Sequence, residues 1–326
     1  MSRPAKPPAQ PAAASHLKPG LVVASFGRHC LVESADGERR ICHPRGKKSQ
    51  VVVGDRVQWS ASTDEGSVER VDERRNLFYR QDELRTKSFA ANLDQILMLV
   101  AADPEFSERQ LARALIAAEA QNIPVIVVLN KSDLQPAFDR SWARLAPYRH
   151  MGVDVMPLRL KAATAASSEA GVEDLLQKLN GKSTLILGPS GVGKSTLVNR
   201  LVPHAAALTG EISRALNSGK HTTTSTTWYW TDDSKQTALI DSPGFQEFGL
   251  NHIEPMQLAQ LMPDMRAALG NCRFYNCTHL HEPGCSVRDQ VAKADEPPSD
   301  TAPAIGANRY QIYGELFAEL SDKRRY

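Results

Sequence analysis

The 326-residue chain has no apolar run near the eighteen or so residues that a membrane span requires. Its longest, "QILMLVAA" and "PVIVVL", have the length of buried strands. It has little net charge, +2 at pH 7, so no single-sign field dominates the whole molecule. It has only five cysteines, three of them crowded between Cys272 and Cys285. That suits a reducing compartment and a metal better than a disulfide framework. The opening "MSRPAKPPAQPAAASHLKPG" lacks the continuous apolar stretch of a secretory signal. Its Pro/Ala bias points instead to a disordered tail over residues 1–20. These absences lead us to expect a cytoplasmic protein with no membrane partner. The composition that remains, 41% hydrophobic and 23% charged, is that of an ordinary soluble chain long enough for two or three domains.

Charge is uneven along the chain. Residues 1–90 carry a net +5, leaving −3 for the rest. From Leu21 to about Tyr79, short β-rich segments alternate with turns such as "ADGE" and "STDEG", and no helical period interrupts them. Five or so strands in that length predict a small barrel of the OB-fold kind over residues 21–85. A basic barrel fits a polyanion, with Arg28, Arg39, Arg40, Arg45, Lys47 and Lys48 as candidate phosphate contacts. The texture changes near Leu93. "LDQILMLVAA", a helix beginning at the candidate N-cap Ser107, and "IPVIVVLN" open a strand–helix alternation. It continues through a helix near 139–149, "GVDVMPLRL", "GVEDLLQKL" and "STLILG". Such alternation predicts a parallel sheet with ligands at the strand C-terminal ends. There are no internal repeats.

Two motifs sit at such ends. "GPSGVGKST" comprises Gly188, Pro189, Ser190, Gly191, Val192, Gly193, Lys194, Ser195 and Thr196, and follows a strand and opens a helix, as a phosphate-binding loop requires. Its glycines let backbone N–H groups converge on phosphate oxygens, and the helix N-terminus adds partial positive charge. Lys194 then reaches the β- and γ-phosphates, and Ser195 ligates Mg²⁺. "NKSD", comprising Asn130, Lys131, Ser132 and Asp133, follows "PVIVVL". A carboxylate at Asp133 accepts from N1–H and the 2-amino group of guanine, whereas adenine would leave it unpaired. Asn130 reads the base edge or braces the loop, and the Lys131 stem lies over the base. "DSPG", Asp241 to Gly244, places Asp241 near Mg²⁺ and the Gly244 N–H near the γ-phosphate. "HTTT" offers Thr223 as the Mg²⁺-facing threonine of the first switch.

The order is base motif, phosphate loop, switch I, switch II, which is a circular permutation of a GTPase domain. With "GKHTTT", "DSPGFQEFGL" and the cysteine cluster in the same order, the chain closely resembles the RsgA (YjeQ-type) family of circularly permuted GTPases from about Leu21 onward. The resemblance implies an OB-fold RNA-binding domain (21–85), a permuted GTPase domain (86–250) and a helical zinc-binding domain (251–326). It also implies GTP/GDP as the nucleotide, action in late assembly of the small ribosomal subunit, and contact with that subunit and its rRNA. We expect a monomer. One element departs: the fifth GTPase motif should lie between NKSD and the loop, where only Arg159-Leu160-Lys161 stands, with Lys161 the best candidate.

Where Ras-like proteins carry a water-orienting glutamine after Asp-x-x-Gly, this chain has Phe245. His221 is the local candidate for positioning the attacking water, and unaided turnover should be slow. Cys272, Cys277, His279 and Cys285 supply four soft or borderline ligands within fourteen residues, which suits one structural Zn²⁺. His281 is the rival ligand, and Cys30 and Cys42 are core or surface thiols. Two other readings compete. One is a non-catalytic RNA-binding scaffold that GTP merely stabilises; the other is an ATPase, which requires NKSD to be decorative.

Overall fold

The computed structural model describes residues 17–46, 50–62, 65–83, 85–161, 170–205, 226–244, 248–292 and 305–322. Among them the chain forms two compact units, divided between Glu73 and Arg74.

The first unit contains β1 (Lys18–Phe26), β2 (His29–Ser34), β3 (Arg39–Pro44), β4 (Arg56–Ala61) and β5 (Gly66–Val71). They pair in the order β1-β2-β3-β5-β4, and β4 pairs back to β1, closing a barrel. All pairs are antiparallel except β3 with β5. Closure removes the sheet edges and leaves one small core. Trp59 fills it, packed with Val22, Val32, Val57 and Val68. Two glycines make room for that indole. A β-carbon on Gly20 would come within 2.4 Å of Val32 Cγ1 and 2.9 Å of the Trp59 ring. One on Gly66 would lie 2.5 Å from Cys42 Sγ. Cys30 and Cys42 face each other across β2 and β3 as free, buried thiols. Burial pushes their pKa values to about 12 and about 11, so they behave as small apolar fillers.

The second unit begins with a hairpin, β6 (Leu77–Gln81) and β7 (Thr86–Ala91). Residues 74–85, which the turn pattern assigns to the barrel, therefore lie here. The main sheet follows: β8 (Gln95–Ala101), β9 (Val125–Asn130), β10 (Asp154–Pro157), β11 (Ser183–Leu187), β12 (Thr227–Trp230) and β13 (Ala238–Asp241). Its order is β10-β9-β8-β11-β13-β12, parallel throughout except for β12. Every residue of β8 and of β11 is buried, as befits strands covered on both faces.

The helices come from recognisable signals. In α1 (Glu108–Glu119) the predicted cap is realised: the Ser107 side chain accepts from Gln110 N at 3.3 Å. The expected helix near 139–149 is two helices, α2 (Ala137–Arg144) and α3 (Ala146–His150), because Pro147 at the restart has no N–H to continue the ladder. After β10 come α4 (Val172–Leu179) and α5 (Lys194–Leu201). The helical stretch expected at 255–269 is a 3-10 turn, Pro255–Leu261, and a short α6 (Pro263–Arg266) that starts at a second proline. The chain then passes through the cysteine cluster to α7 (Ser286–Asp289) and the terminal helix α8 (Ala307–Asp322). Arg309 of α8 is 2% exposed. It is held by both carboxylate oxygens of Asp264 (2.9 and 3.0 Å) and lies over the Tyr148 ring, so it ties α8 to α6 and α3.

Candidate guanine-nucleotide site and metal centre

Because β8, β9, β11 and β13 are parallel, their C-terminal ends share one rim. Leu187 ends β11 and leads into the Gly188 loop; Asn130 ends β9; Asp241 ends β13. The three motifs read from sequence therefore meet at one edge of one sheet.

The loop has the backbone that its glycines predict. Gly188, Gly191 and Gly193 all have positive φ (155°, 82° and 108°). A side chain at Gly188 would collide with the Leu99 carbonyl at 2.2 Å, and one at Gly193 with Asn130 Nδ2 at 2.6 Å. Only glycine allows the loop to lie this close to β8 and to NKSD. The Lys194 ammonium donates to the carbonyls of Gly188 (2.8 Å) and Pro189 (2.7 Å), curling back over the loop. Burial lowers its pKa, partly opposed by Asp241. A cleft of about 370 Å³ is lined by Ser190, Gly191, Gly193, Lys194, Ser195, Thr196, Asp241, Ser242 and Gly244. Pro189 flanks it half-buried, and Val192 is fully buried beneath it.

Asp241 is 8% exposed. Burial pushes its pKa up to about 6, with the Lys194 charge and the Ser242 N–H opposing. A carboxylate desolvated this far is suited to a cation, and the donors on this wall, Ser195 and Asp241, are the hard oxygens that Mg²⁺ prefers. Ser242 Oγ donates to the Ile186 carbonyl at 2.8 Å, which fixes DSPG against β11. Gly244 sits so near that a β-carbon on it would lie 3.2 Å from Lys194 Nζ.

Asn130 braces the loop: its Nδ2 donates to the Val192 carbonyl at 2.9 Å across 62 residues of sequence. Its Oδ1 is buried without a partner among the described residues, the kind of acceptor that a ligand donor satisfies. Lys131 takes a left-handed backbone (φ 63°), and its ammonium donates to the Asp103 carbonyl. Ser132 N donates to Leu158 O (3.1 Å), so the strand end after β10 supports NKSD. Asp133 is half-buried beside it. Leu160 reaches within 3.6 Å of the position a Gly193 β-carbon would take, which brings the Arg159-Leu160-Lys161 run alongside both motifs. Lys161 itself is exposed. His221, Thr223 and Phe245 lie outside the described residues.

The second cluster is equally compact. The ligand atoms of Cys272, Cys277, His279 and Cys285 all lie within 4.8 Å of one another. His279 Nδ1 is 3.5 Å from both Cys272 Sγ and Cys285 Sγ, and those sulfurs are 4.0 Å apart. A tetrahedral ion with bonds of about 2.3 Å to sulfur and about 2.0 Å to nitrogen would give edges near these values. The residues fit a metal. His281, the rival ligand, is exposed and outside the cluster. His279 also has positive φ (62°), which turns the chain so that its ring faces the sulfurs. Tyr310 and Tyr313 of α8 donate to the carbonyls of His279 (2.6 Å) and Thr278 (2.7 Å), pinning the loop from behind. The Thr278 hydroxyl and amide donate to Glu282 (2.6 and 2.8 Å), closing the turn.

The chain beyond DSPG contains what sequence reasoning missed. Phe248 is buried against Phe78 (5.6 Å between centroids) and Phe89 (6.0 Å, stacked) of the hairpin. Gly249 accepts from Gln81 N and Asn251 N donates to Gln81 O, extending β6. Arg113 of α1 donates to the Phe248 carbonyl at 3.0 Å and also pairs with Glu319 of α8. No local pattern announces a pair 206 residues apart.

Comparison with known proteins agrees with this geometry. The family model described as RsgA GTPase matches residues 71–251. The small ribosomal subunit biogenesis GTPase RsgA of Variovorax paradoxus is 66% identical over 326 residues, covering 99% of this chain and 100% of that protein. The protein of the same name from Burkholderia pseudomallei is 50% identical, with 98% of each covered. Among solved structures, YloQ, described as a circularly permuted GTPase, matches with a TM-score of 0.65 at 25% identity over 97% of this chain and 99% of its own. YjeQ from Thermotoga maritima matches with 0.66 at 28%, over 93% and 98%. The order of motifs along the chain, their meeting on one rim and these matches have one consequence: the chain belongs to the RsgA GTPase family.

Proposed function

We propose that the protein hydrolyses GTP while bound to the small ribosomal subunit during late assembly, and that hydrolysis accompanies its release. The observation that carries the guanine-nucleotide part is the hydrogen bond from Asn130 to the Val192 carbonyl, which binds the base motif to the phosphate loop. The ribosomal part rests on the names of the relatives at 66% and 50% identity.

In this reading Asp133 accepts from N1–H and the 2-amino group of guanine, Asn130 holds the loop, and Lys131 and Ser132 shape the wall beside the base. The backbone N–H groups from Ser190 to Gly193 surround the phosphates, with Lys194 supplying the nearest charge. Thr196 completes the first turn of α5. Ser195 and Thr223, with Asp241 behind, would hold Mg²⁺, which would supply positive charge to offset that of the phosphates. Gly244 N–H senses the γ-phosphate, and His221 orients the attacking water in place of the missing glutamine. Catalysis here is positioning and electrostatics, so a partner that fixes His221 would raise turnover.

The barrel serves as the rRNA-binding domain, the permuted domain as the GTPase, and residues 251–326 as a helical domain built on one structural Zn²⁺. We read the protein as a cytoplasmic monomer. Arg39, Arg40 and Arg45 are paired with Glu33 (2.7 Å), Glu38 (3.1 Å) and Glu69 (2.6 Å). The Arg40 and Arg45 pairs lie at the surface and are worth little, so phosphate can displace their carboxylates, whereas Arg39 is held by the buried Glu33. Arg28 is exposed, while Lys47 and Lys48 lie outside the described residues.

The test is steady-state GTP turnover with purified small subunits, large subunits or neither. Stimulation by small subunits alone is expected. Equal stimulation by both, or none, overturns the proposal.

A further inference from the structure

We infer that Pro104, in the turn after β8, is a positioning residue that fixes Lys131 against the guanine base; this deepens the base-reading role proposed for NKSD and rests on it. Three contacts place the turn between the two nucleotide motifs. Ala102 N donates to the Asn130 carbonyl at 3.1 Å, tying its near end to NKSD. The Asp103 carbonyl accepts the Lys131 ammonium. A β-carbon on Gly191 would lie 3.8 Å from Cδ and Cγ of Pro104, which puts the ring in van der Waals reach of the phosphate loop.

A free lysine stem samples many rotamers, and freezing it over a base costs entropy. Here that cost is met in advance. The left-handed backbone at Lys131 (φ 63°) fixes where the stem leaves the chain. The Asp103 carbonyl fixes where it ends. That carbonyl stays in place because Pro104, with its fixed φ and its ring beside Gly191, leaves the turn little room to move toward the loop. The stem is thus held at both ends along the wall between base motif and phosphate loop. Since the anchor touches no phosphate, its loss should weaken GDP and GTP alike.

The experiment is titration of the full-length protein with fluorescent GDP and with a non-hydrolysable GTP analogue. The variants are Lys131→Met, Pro104→Ala, the double variant and Asp133→Asn, with thermal midpoints read alongside and Pro104→Val substituted if Pro104→Ala fails to fold. Lys131→Met keeps the apolar stem and removes the anchored charge, so both nucleotides should weaken by about tenfold. Pro104→Ala should weaken both by about three- to tenfold in the native background and have almost no further effect beside Lys131→Met. Losses that simply add overturn the inference, since Pro104 then acts through something other than Lys131. A Lys131→Met protein with native affinity, alongside an Asp133→Asn protein with altered base preference, also overturns it while the base-reading role stands. If neither variant changes binding, that role fails and the inference with it.

Discussion

Arg113 is the residue whose removal should separate nucleotide binding from its consequences. Its guanidinium is 11% exposed and joins the Phe248 carbonyl, four residues beyond Gly244, to Glu319 on α8. Replacing it by alanine deletes one hydrogen bond from a charged donor, about 1.5–3 kcal/mol, and half of a largely buried ion pair. Arg109 continues to hold Glu319 at 3.0 Å, so the lower part of that range applies. A loss of about 1.5–2 kcal/mol in the docking of α8 is expected, which is roughly 10- to 30-fold in its opening equilibrium. The assay is amide hydrogen exchange across α8 with GDP and with a non-hydrolysable GTP analogue. In the native protein the two states should differ if, as proposed, Gly244 engages the γ-phosphate, because Phe248 four residues on is joined through Arg113 to Glu319 of α8. In Arg113→Ala, protection should fall by the stated factor and the difference between states should vanish. GDP affinity should change less than about twofold, since Arg113 lies outside the nucleotide cleft. A variant that keeps the full state difference would falsify the idea that this contact carries the signal.

Three further outcomes are expected. Asp133→Asn should shift preference from GTP to xanthosine triphosphate, whose 2-oxo group suits an amide donor; competition binding with the two nucleotides decides it. Asp241, with its pKa raised to about 6, is protonated below that pH, so Mg²⁺-dependent GTP binding should fall by up to about tenfold per pH unit beneath it. By linkage, burial of this carboxylate destabilises the nucleotide-free fold as pH rises from 3.8 to about 6, and Asp241→Asn should flatten that limb of a thermal-midpoint profile. Elemental analysis should find one zinc per chain and almost none in Cys277→Ser, whose α8 should also lose protection through the Tyr310 and Tyr313 contacts.

The parts of this fold that were legible in the sequence are those where chemistry dictates residue identity. A phosphate loop needs Gly188 and Gly193 because a β-carbon there meets backbone or Asn130, and no other pattern substitutes. The barrel was legible from its turns and the parallel sheet from its apolar runs. What stayed hidden is pairing at a distance. The β6–β7 hairpin buries only Phe78, Phe89, Ala90 and Ala91 among polar neighbours, so its alternation is weak and it merges with the barrel strands in sequence. Arg309 falls where a polar residue of an amphipathic helix would face solvent, yet Asp264 and Tyr148 make burial tolerable. Neither partner is near it in the chain.

The permutation itself supplies a reason for the Arg113 contact. In an unpermuted GTPase the segment after Asp-x-x-Gly runs on into further strands of the same sheet. Here, among the described residues, β13 is the last strand of the sheet in chain order, and its exit enters no later strand. The chain instead adds itself to the edge of β6 through Leu250 and buries Phe248 among the hairpin aromatics before reaching the Cys/His cluster. Each aromatic pair adds about 0.5–1.5 kcal/mol beyond its burial, so this docking is stable without nucleotide and can still be biased by it. In the proposed reading the γ-phosphate contact at Gly244 falls four residues before the dock at Phe248, so a change at one end biases the other. The segment after DSPG is thus attached, through Arg113 and Glu319, to the helix that backs the Cys/His loop, while Ser242 keeps DSPG itself on β11.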